Sequence, residues 1–364
     1  MGIKHRPLVC FLAVLACALA GSANAAPSYA FSVLGGGSFA ATGVNDAGVV
    51  VGSAWTGTGL HAAAWDGATF TYLDPANSNA TAVNNAGVVT GGYVLGDGNN
   101  RAAVWNGASM TTLQTDAYAS DVNDAGVVAG YAYGVVPGVL HNAVTWQGGT
   151  MTVLPTTAPG QFSTATSINN AGVVVGSINN IMSDPHAVVW HGDVVTDLSV
   201  PLGGETSVAT GINNADAVVG WAFLAGQPNV HGVLWSGDNA LDLGTLPGYA
   251  SSVAAAINDA GVIVGSSRPD AVMVSGERAV MWVDGQIIDL NSLLSAQDIQ
   301  AGWVLTEAAA INSAGMIVGT ASNTLTSQIR GFVLSPVPEP SVGLLMVLGT
   351  ACLSVHVRRQ RRRV

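Results

Sequence analysis

Gly43-Val-Asn45-Asp-Ala-Gly48-Val-Val-Val-Gly52 is the stretch that decides the fold, because the chain repeats it. It returns as Ala82-Val-Asn84-Asn-Ala-Gly87-Val-Val-Thr-Gly91 and as Asp121-Val-Asn123-Asp-Ala-Gly126-Val-Val-Ala-Gly130. Four further copies are anchored on Asn169, Asn213, Asn258 and Asn312, which makes seven. Self-similarity at a period of about 40 to 50 residues is the mark of an array built from one supersecondary unit. Within each copy the Asn-x-Ala-Gly segment predicts a turn: Asn tolerates a left-handed backbone and Gly supplies positive φ. The apolar run that follows suits a strand buried on both faces.

A second motif lies between the copies. It is His or Arg, a few small or apolar residues, then Trp, as in His61-Ala-Ala-Ala-Trp65, Arg101-Ala-Ala-Val-Trp105 and His186-Ala-Val-Val-Trp190. A third piece follows with Gly and then Leu, as in Gly192-Asp-Val-Val-Thr-Asp-Leu198. Each unit therefore offers four short strands in roughly 40 to 54 residues, the period of a propeller blade. The seventh unit lacks its last strand, since Arg330-Gly-Phe-Val-Leu334 runs straight into a different kind of sequence. The orphan stretch Tyr29-Ala-Phe-Ser-Val-Leu34 looks like the missing piece. The expectation is an all-β, seven-bladed β-propeller closed by its N-terminal strand, which leaves no open edge. A parallel β-solenoid is the alternative, but its coils have shorter periods. An outer-membrane barrel fits least, because the apolar runs are short rather than long and alternating.

These motifs resemble the HAF repeats of extracellular bacterial proteins, over residues 29–334. The family takes its name from a His-Ala-Phe triplet; no copy here is literally that, and three carry Arg in place of His. The resemblance implies an extracellular address and no defined activity.

Composition agrees with export. Only 9% of residues are charged, and 46 are glycine. Lys4 and Arg6 sit at the N-terminus, and Arg358, Arg359, Arg361, Arg362 and Arg363 at the C-terminus. Between them lie only Arg101, Arg268, Arg278 and Arg330, against 22 acidic residues in the whole chain. Such a body repels phosphate, which excludes a nucleic-acid partner. Cys10, Cys17 and Cys352 all fall in the ends, so the body has neither a disulfide framework nor a thiolate metal site.

The two ends read as processing signals. Lys4 and Arg6 precede an apolar run over 8–20 and then Gly21-Ser-Ala23-Asn-Ala25. This is a signal peptide over 1–25, with cleavage by signal peptidase between Ala25 and Ala26. The run is too short for a permanent span. After the body (26–335), the tail (336–364) has three parts in order. Pro338-Glu339-Pro340 comes first, then an apolar stretch over 341–357, then the arginine cluster. Seventeen helical residues reach about 25 Å, enough for a membrane crossing, and the arginines stay cytoplasmic. The tail resembles the PEP-CTERM sorting signal of Gram-negative bacteria. That resemblance implies an exosortase as processing partner, cutting near Pro338, Glu339 and Pro340. The body is then delivered to the cell surface or the exopolysaccharide matrix.

Candidate sites within the body are few. His61, Arg101, His141, His186, His231, Arg278 and Arg330 recur once per unit. A repeated position serves the repeat, here as one hydrogen bond per blade to the Asn turn of a neighbouring strand. The rival reading is a basic rim for an anionic glycan. The Trp series reads as core. Trp55, Tyr93, Tyr131, Tyr133, Trp221 and Phe223 depart from the repeat; packing between strands and stacking on sugar rings are the two readings. One carboxylate per Asn-Asp turn falls short of the six to eight oxygens Ca²⁺ requires, so no metal is expected. No nucleophile elbow, phosphate loop or zinc helix motif appears, so no catalytic residue and no cofactor is assigned. The expected function is a non-enzymatic surface or matrix protein, structural or glycan-binding in the exopolysaccharide layer. A polysaccharide-active hydrolase or lyase on the same scaffold is the alternative.

Overall fold

The computed structural model describes residues 28–337, apart from 36, 74–76, 180–183, 200–205, 238 and 270–275. Residues Ala30–Ser335 form one compact unit. It is a ring of seven four-stranded antiparallel sheets, a seven-bladed β-propeller as the repeat count predicts. After β1 (Tyr29–Val33), the first blade comprises β2 (Ser38–Val44), β3 (Val50–Trp55), β4 (Leu60–Trp65) and β5 (Phe70–Tyr72), paired in that order. The first strands of all seven blades line the axis.

Local chemistry explains each blade. Asn45 Oδ1 accepts from the Val49 N–H, and the Gly48 N–H donates to the Asn45 carbonyl, so the turn closes on its own asparagine. Gly48 has φ of +80°. Just before this turn, every first strand carries a β-bulge. In blade 1 Ala41 pairs with Gly52 and Gly43 with Val51, leaving Thr42 over. The bulge gives the last glycine of the motif its purpose. A Cβ on Gly52 would sit 2.0 Å from the Ala40 carbonyl oxygen, and Gly130 and Gly265 meet Tyr118 and Val253 at the same distance. Only glycine fits so close an approach. The surplus residue also works: Thr42 Oγ1 donates to Ala80 O at 2.9 Å and Thr81 Oγ1 to Ala119 O at 3.0 Å, each in the next blade.

The core lies between blades rather than within them. Val51 and Ala62 of blade 1 pack against Ala80, Val89 and Trp105 of blade 2, and the pattern repeats around the ring. Trp105, Trp146, Trp190 and Trp235 are almost wholly buried, as core packing requires. The ring closes as expected. β1 pairs as the outer strand of the last blade, beside Ile329–Pro336. The Leu34 N–H donates to Gly331 O at 2.8 Å, and Leu34 packs with Phe39 and Val333.

No helix among the described residues is long and apolar enough to cross a membrane. Ala25, Ala26, Pro338, Glu339, Pro340, Arg358, Arg359, Arg361, Arg362 and Arg363 lie outside the described residues.

Candidate functional site

Three places gather chemistry, and the axis is the first. Seven buried asparagine amides circle it. Asn45 Nδ2 donates to Asn84 O at 3.0 Å, Asn84 to Asn123 O at 2.9 Å and Asn123 to Asn169 O at 3.1 Å. Asn169, Asn213 and Asn258 continue the circle to Asn312, which donates back to Asn45 O at 3.0 Å. The residues that follow them form an outer tier. Asp46 N–H donates to Asn85 Oδ1, and Ser313 N–H to Asp46 Oδ1, both at 2.9 Å. Burial works to raise the Asp46 carboxyl. Hydrogen bonds from Ser313 and Asn85 outweigh it and hold the group below its ordinary value.

This tier lines a cup of about 220 Å³ at one end of the axis. Beneath it a collar including Val83, Ile212, Ile257 and Ile311 separates it from a second space of about 260 Å³. That inner space is lined by small residues, Thr and one carboxylate, Asp121. Asp121 is part-exposed to this inner space, yet protein surrounds it closely. Burial raises its pKa, against hydrogen bonds from Ser167 Oγ (2.7 Å) and the Ile168 N–H (3.0 Å). Nothing in sequence spacing distinguished this aspartate, because it occupies a position that is Gly43, Ala82 or Ala256 in other blades. Among the described residues no three His, Cys, Asp or Glu gather as metal ligands would.

The His and Arg series is the second place. These residues open the third strand of each blade, two strands out from the axis and at the end opposite the Asn turns. The turns are therefore not their partners, contrary to the expectation from sequence. His186 Nδ1 instead meets Asp197 Oδ2 at 2.9 Å, and His231 Nδ1 lies 3.0 Å from both Asp242 oxygens. Each aspartate closes the fourth strand, eleven residues on. Ser199 Oγ beside this pair donates to Asp197 Oδ1 at 2.6 Å. It faces the carboxylate and the same ring nitrogen, so the trio is not arranged as nucleophile, base and orienter. The Arg101 guanidinium grips Asp97 and the Asn99 carbonyl, 5.9 Å above the Tyr93 ring. Arg278 Nε donates to Tyr249 Oη at 3.3 Å, Arg330 to the Ile329 carbonyl, and the His61 ring lies 5.7 Å from Tyr72. His141 Nε2 lies 3.3 Å from Thr164 Oγ1, and its Nδ1 is buried without a partner. The series is dispersed around the ring, one member per blade.

The third place is the hairpin between second and third strands, at that same end. Trp55, Leu60, Leu95, Tyr133, Leu140, Phe223, Leu325 and Ile329 are exposed there. Of the aromatics that depart from the repeat, Trp55, Tyr133 and Phe223 are exposed, Tyr131 and Trp221 half-buried, and Tyr93 buried. In blade 3 they cluster. The Tyr118 and Tyr131 rings stack at 4.9 Å and 18°, and Tyr133 meets Tyr131 at 5.9 Å. His141 lies 5.3 Å from Tyr131, and Phe162, from the next blade, stacks on His141 at 5.6 Å. Burial first, then the neighbouring tyrosines, pushes the Tyr131 hydroxyl up to about 12.

No protein-family model matches the sequence, and no curated protein matches it. Among solved structures, the chain is similar to a gluconolactonase from Xanthomonas campestris at 11% identity and TM-score 0.41, over 87% of this chain and 93% of that one. It is similar to TolB from Acinetobacter baumannii at 10% and 0.42, over 84% of this chain and 66% of that one. A third is the SapL1 lectin solved with α-methyl fucoside, at 16% and 0.33, over 70% of this chain and 95% of that one. The resemblance carries no information about chemistry.

Proposed function

We propose that this is an exported, non-enzymatic protein of the bacterial surface or extracellular matrix that binds glycan in the exopolysaccharide layer. The observation that carries the reading is the hairpin end of the ring, where exposed aromatic and aliphatic side chains collect on one side. A soluble body does not gather such groups without a partner to cover them. The secretion signal and the sorting tail supply the address. The acidic surface fits a neutral partner better than an anionic one.

One observation favours a polysaccharide-active hydrolase or lyase instead. Glu307 is exposed on the first strand of the last blade, yet the protein packed beside its carboxyl, and then the charge of Glu277, raise it, while Arg268, bonded to Glu277 at 2.6 Å, opposes the rise. Two carboxyls in one another's field are the raw material of general acid–base catalysis. The test incubates the mature secreted protein with the exopolysaccharide of its own host. Binding without product supports the first reading. Newly released reducing ends or unsaturated uronates support the second. Neither result would leave a purely structural role.

A further inference from the structure

We propose that the aromatic cluster of blade 3, formed by Tyr118, Tyr131, Tyr133 and His141 with Phe162 of blade 4, is a binding site for pyranose units of a neutral polysaccharide. The proposal rests on the glycan-binding reading above and gives it a place and a sugar class.

The cluster is not owed to the repeat. Where blade 3 has Tyr131, other blades have Ser53, Gly92, Ser177 or Thr320. Where it has Tyr118, others have Ala40, Asn79 or Val208. Those blades fold with the same pairings, so three tyrosines on one sheet face answer no demand of the architecture. They are not consumed as core either. Tyr133 keeps 38% of its surface exposed, and Tyr118, Tyr131 and Phe162 are only half-buried.

The ligand class follows from what the site offers. The packed rings present an apolar surface on which Tyr133 stands exposed, and polar groups edge it: the phenols, the Asn100 amide bonded to Tyr118 Oη, and the Thr164 hydroxyl. A pyranose has the matching form, C–H groups on its face and hydroxyls around its rim. Aromatic bodies with polar tips suit ligands that are half apolar and half wet. A lipid chain would leave the phenols unanswered. A polyanion would find the two basic groups beside the cluster unavailable. Arg101 is occupied by Asp97, and burial lowers the pKa of His141, favouring its neutral form. The blade 5 pair, Trp221 and Phe223, shares the strand position but has Val208 where blade 3 has Tyr118, so its platform is narrower.

The test is affinity electrophoresis of the mature protein. Separate gels are cast with the host exopolysaccharide, with neutral polymers (a β-glucan, a dextran, a galactomannan) and with polygalacturonate. The expected result is retardation by at least one neutral polymer, weakened at least tenfold by Tyr133→Ala, retained by Tyr133→Trp and unchanged by Leu241→Ala, an exposed site on an outer strand away from the hairpin end. Tyr133 is exposed, so the folded state survives its replacement, and circular dichroism verifies this. Full-strength binding by Tyr133→Ala overturns the proposal, as does retardation by polygalacturonate alone. If the host polymer retards wild type and Tyr133→Ala equally, the site falls and the glycan-binding reading stands. If no gel retards the wild type, both fall.

Discussion

The side-chain amide of Asn312 donates to the backbone carbonyl of Asn45 at 3.0 Å, across 267 residues of sequence. That one contact completes a circle of seven, and it joins the last blade to the first in the same way as every other neighbouring pair. Each amide is spent twice, its nitrogen on the next blade and its oxygen on its own turn.

Replacing Asn123 therefore removes a buried hydrogen bond to Asn169 O, which keeps the Gly172 N–H, and a part-buried one that leaves the Val127 N–H without its acceptor. Asn123→Ala is expected to lower stability by about 2–3 kcal/mol, read as a shift in urea midpoint. Asn123→Asp keeps the oxygen but buries a charge, and is expected to be worse at neutral pH than at acid pH.

The close approach at the end of the second strand makes a sharper test. Gly265→Ala places a methyl group 2.0 Å from Val253 O and is expected to cost at least about 3 kcal/mol or to abolish soluble expression. Gly211→Ala is its control. The position is alanine in other blades, and the nearest backbone oxygen lies at 3.3 Å, so a melt should move little.

Removal of residues 26–34 should expose the edge beside Arg330 and open the pocket filled by Leu34. The expected outcome is broad, early unfolding and concentration-dependent aggregation, followed by calorimetry and light scattering.

Asp121 gives the fold a pH signature. Its folded-state pKa lies above the ordinary value near ~4. Between those two values the folded protein holds a proton that the unfolded chain has released, so stability falls as pH rises through the window and stays lower above it. Asp121→Ala deletes that fall. Relative to wild type, the variant should gain stability as pH rises above the ordinary carboxylate value of about 4 in paired urea titrations.

At the tail, mass spectrometry of surface protein from the native host should find a C-terminus near residue 340. Replacing Pro338 and Pro340 with alanine should leave insertion unchanged and trap the full-length chain, because apolar length and positive charge are untouched. An intact end at Val364, in a host that has the processing enzyme, defeats the idea.

Much of this architecture was legible in the sequence, because local chemistry repeated seven times announces itself. The Asn turns, the blade count and the closing strand at 29–34 all follow from spacing. What lies between blades did not. The spacing of Asn45 and Asn84 records a period but not that one donates to the other. The Gly at position 52 reads as a strand end until the bulge at Thr42 brings Ala40 O against it. Repeat spacing points His186 at an Asn turn, because sequence carries no sense of which end of a blade a residue occupies. The tyrosine cluster was visible only as departures from the repeat, since Tyr118 and Phe162 join it from different strands.

The amide circle has a sense of rotation but no first or last member. Every unit contributes one giver and one taker, so a duplicated unit would enter with its own ledger balanced and leave no orphan behind. Such a joint tolerates growth by gene duplication. It is equally indifferent to where the chain is cut, and a circular permutant that starts at another blade keeps every joint. The strand at Tyr29–Val33 marks where one piece was lent across the seam, and the ring itself has no beginning.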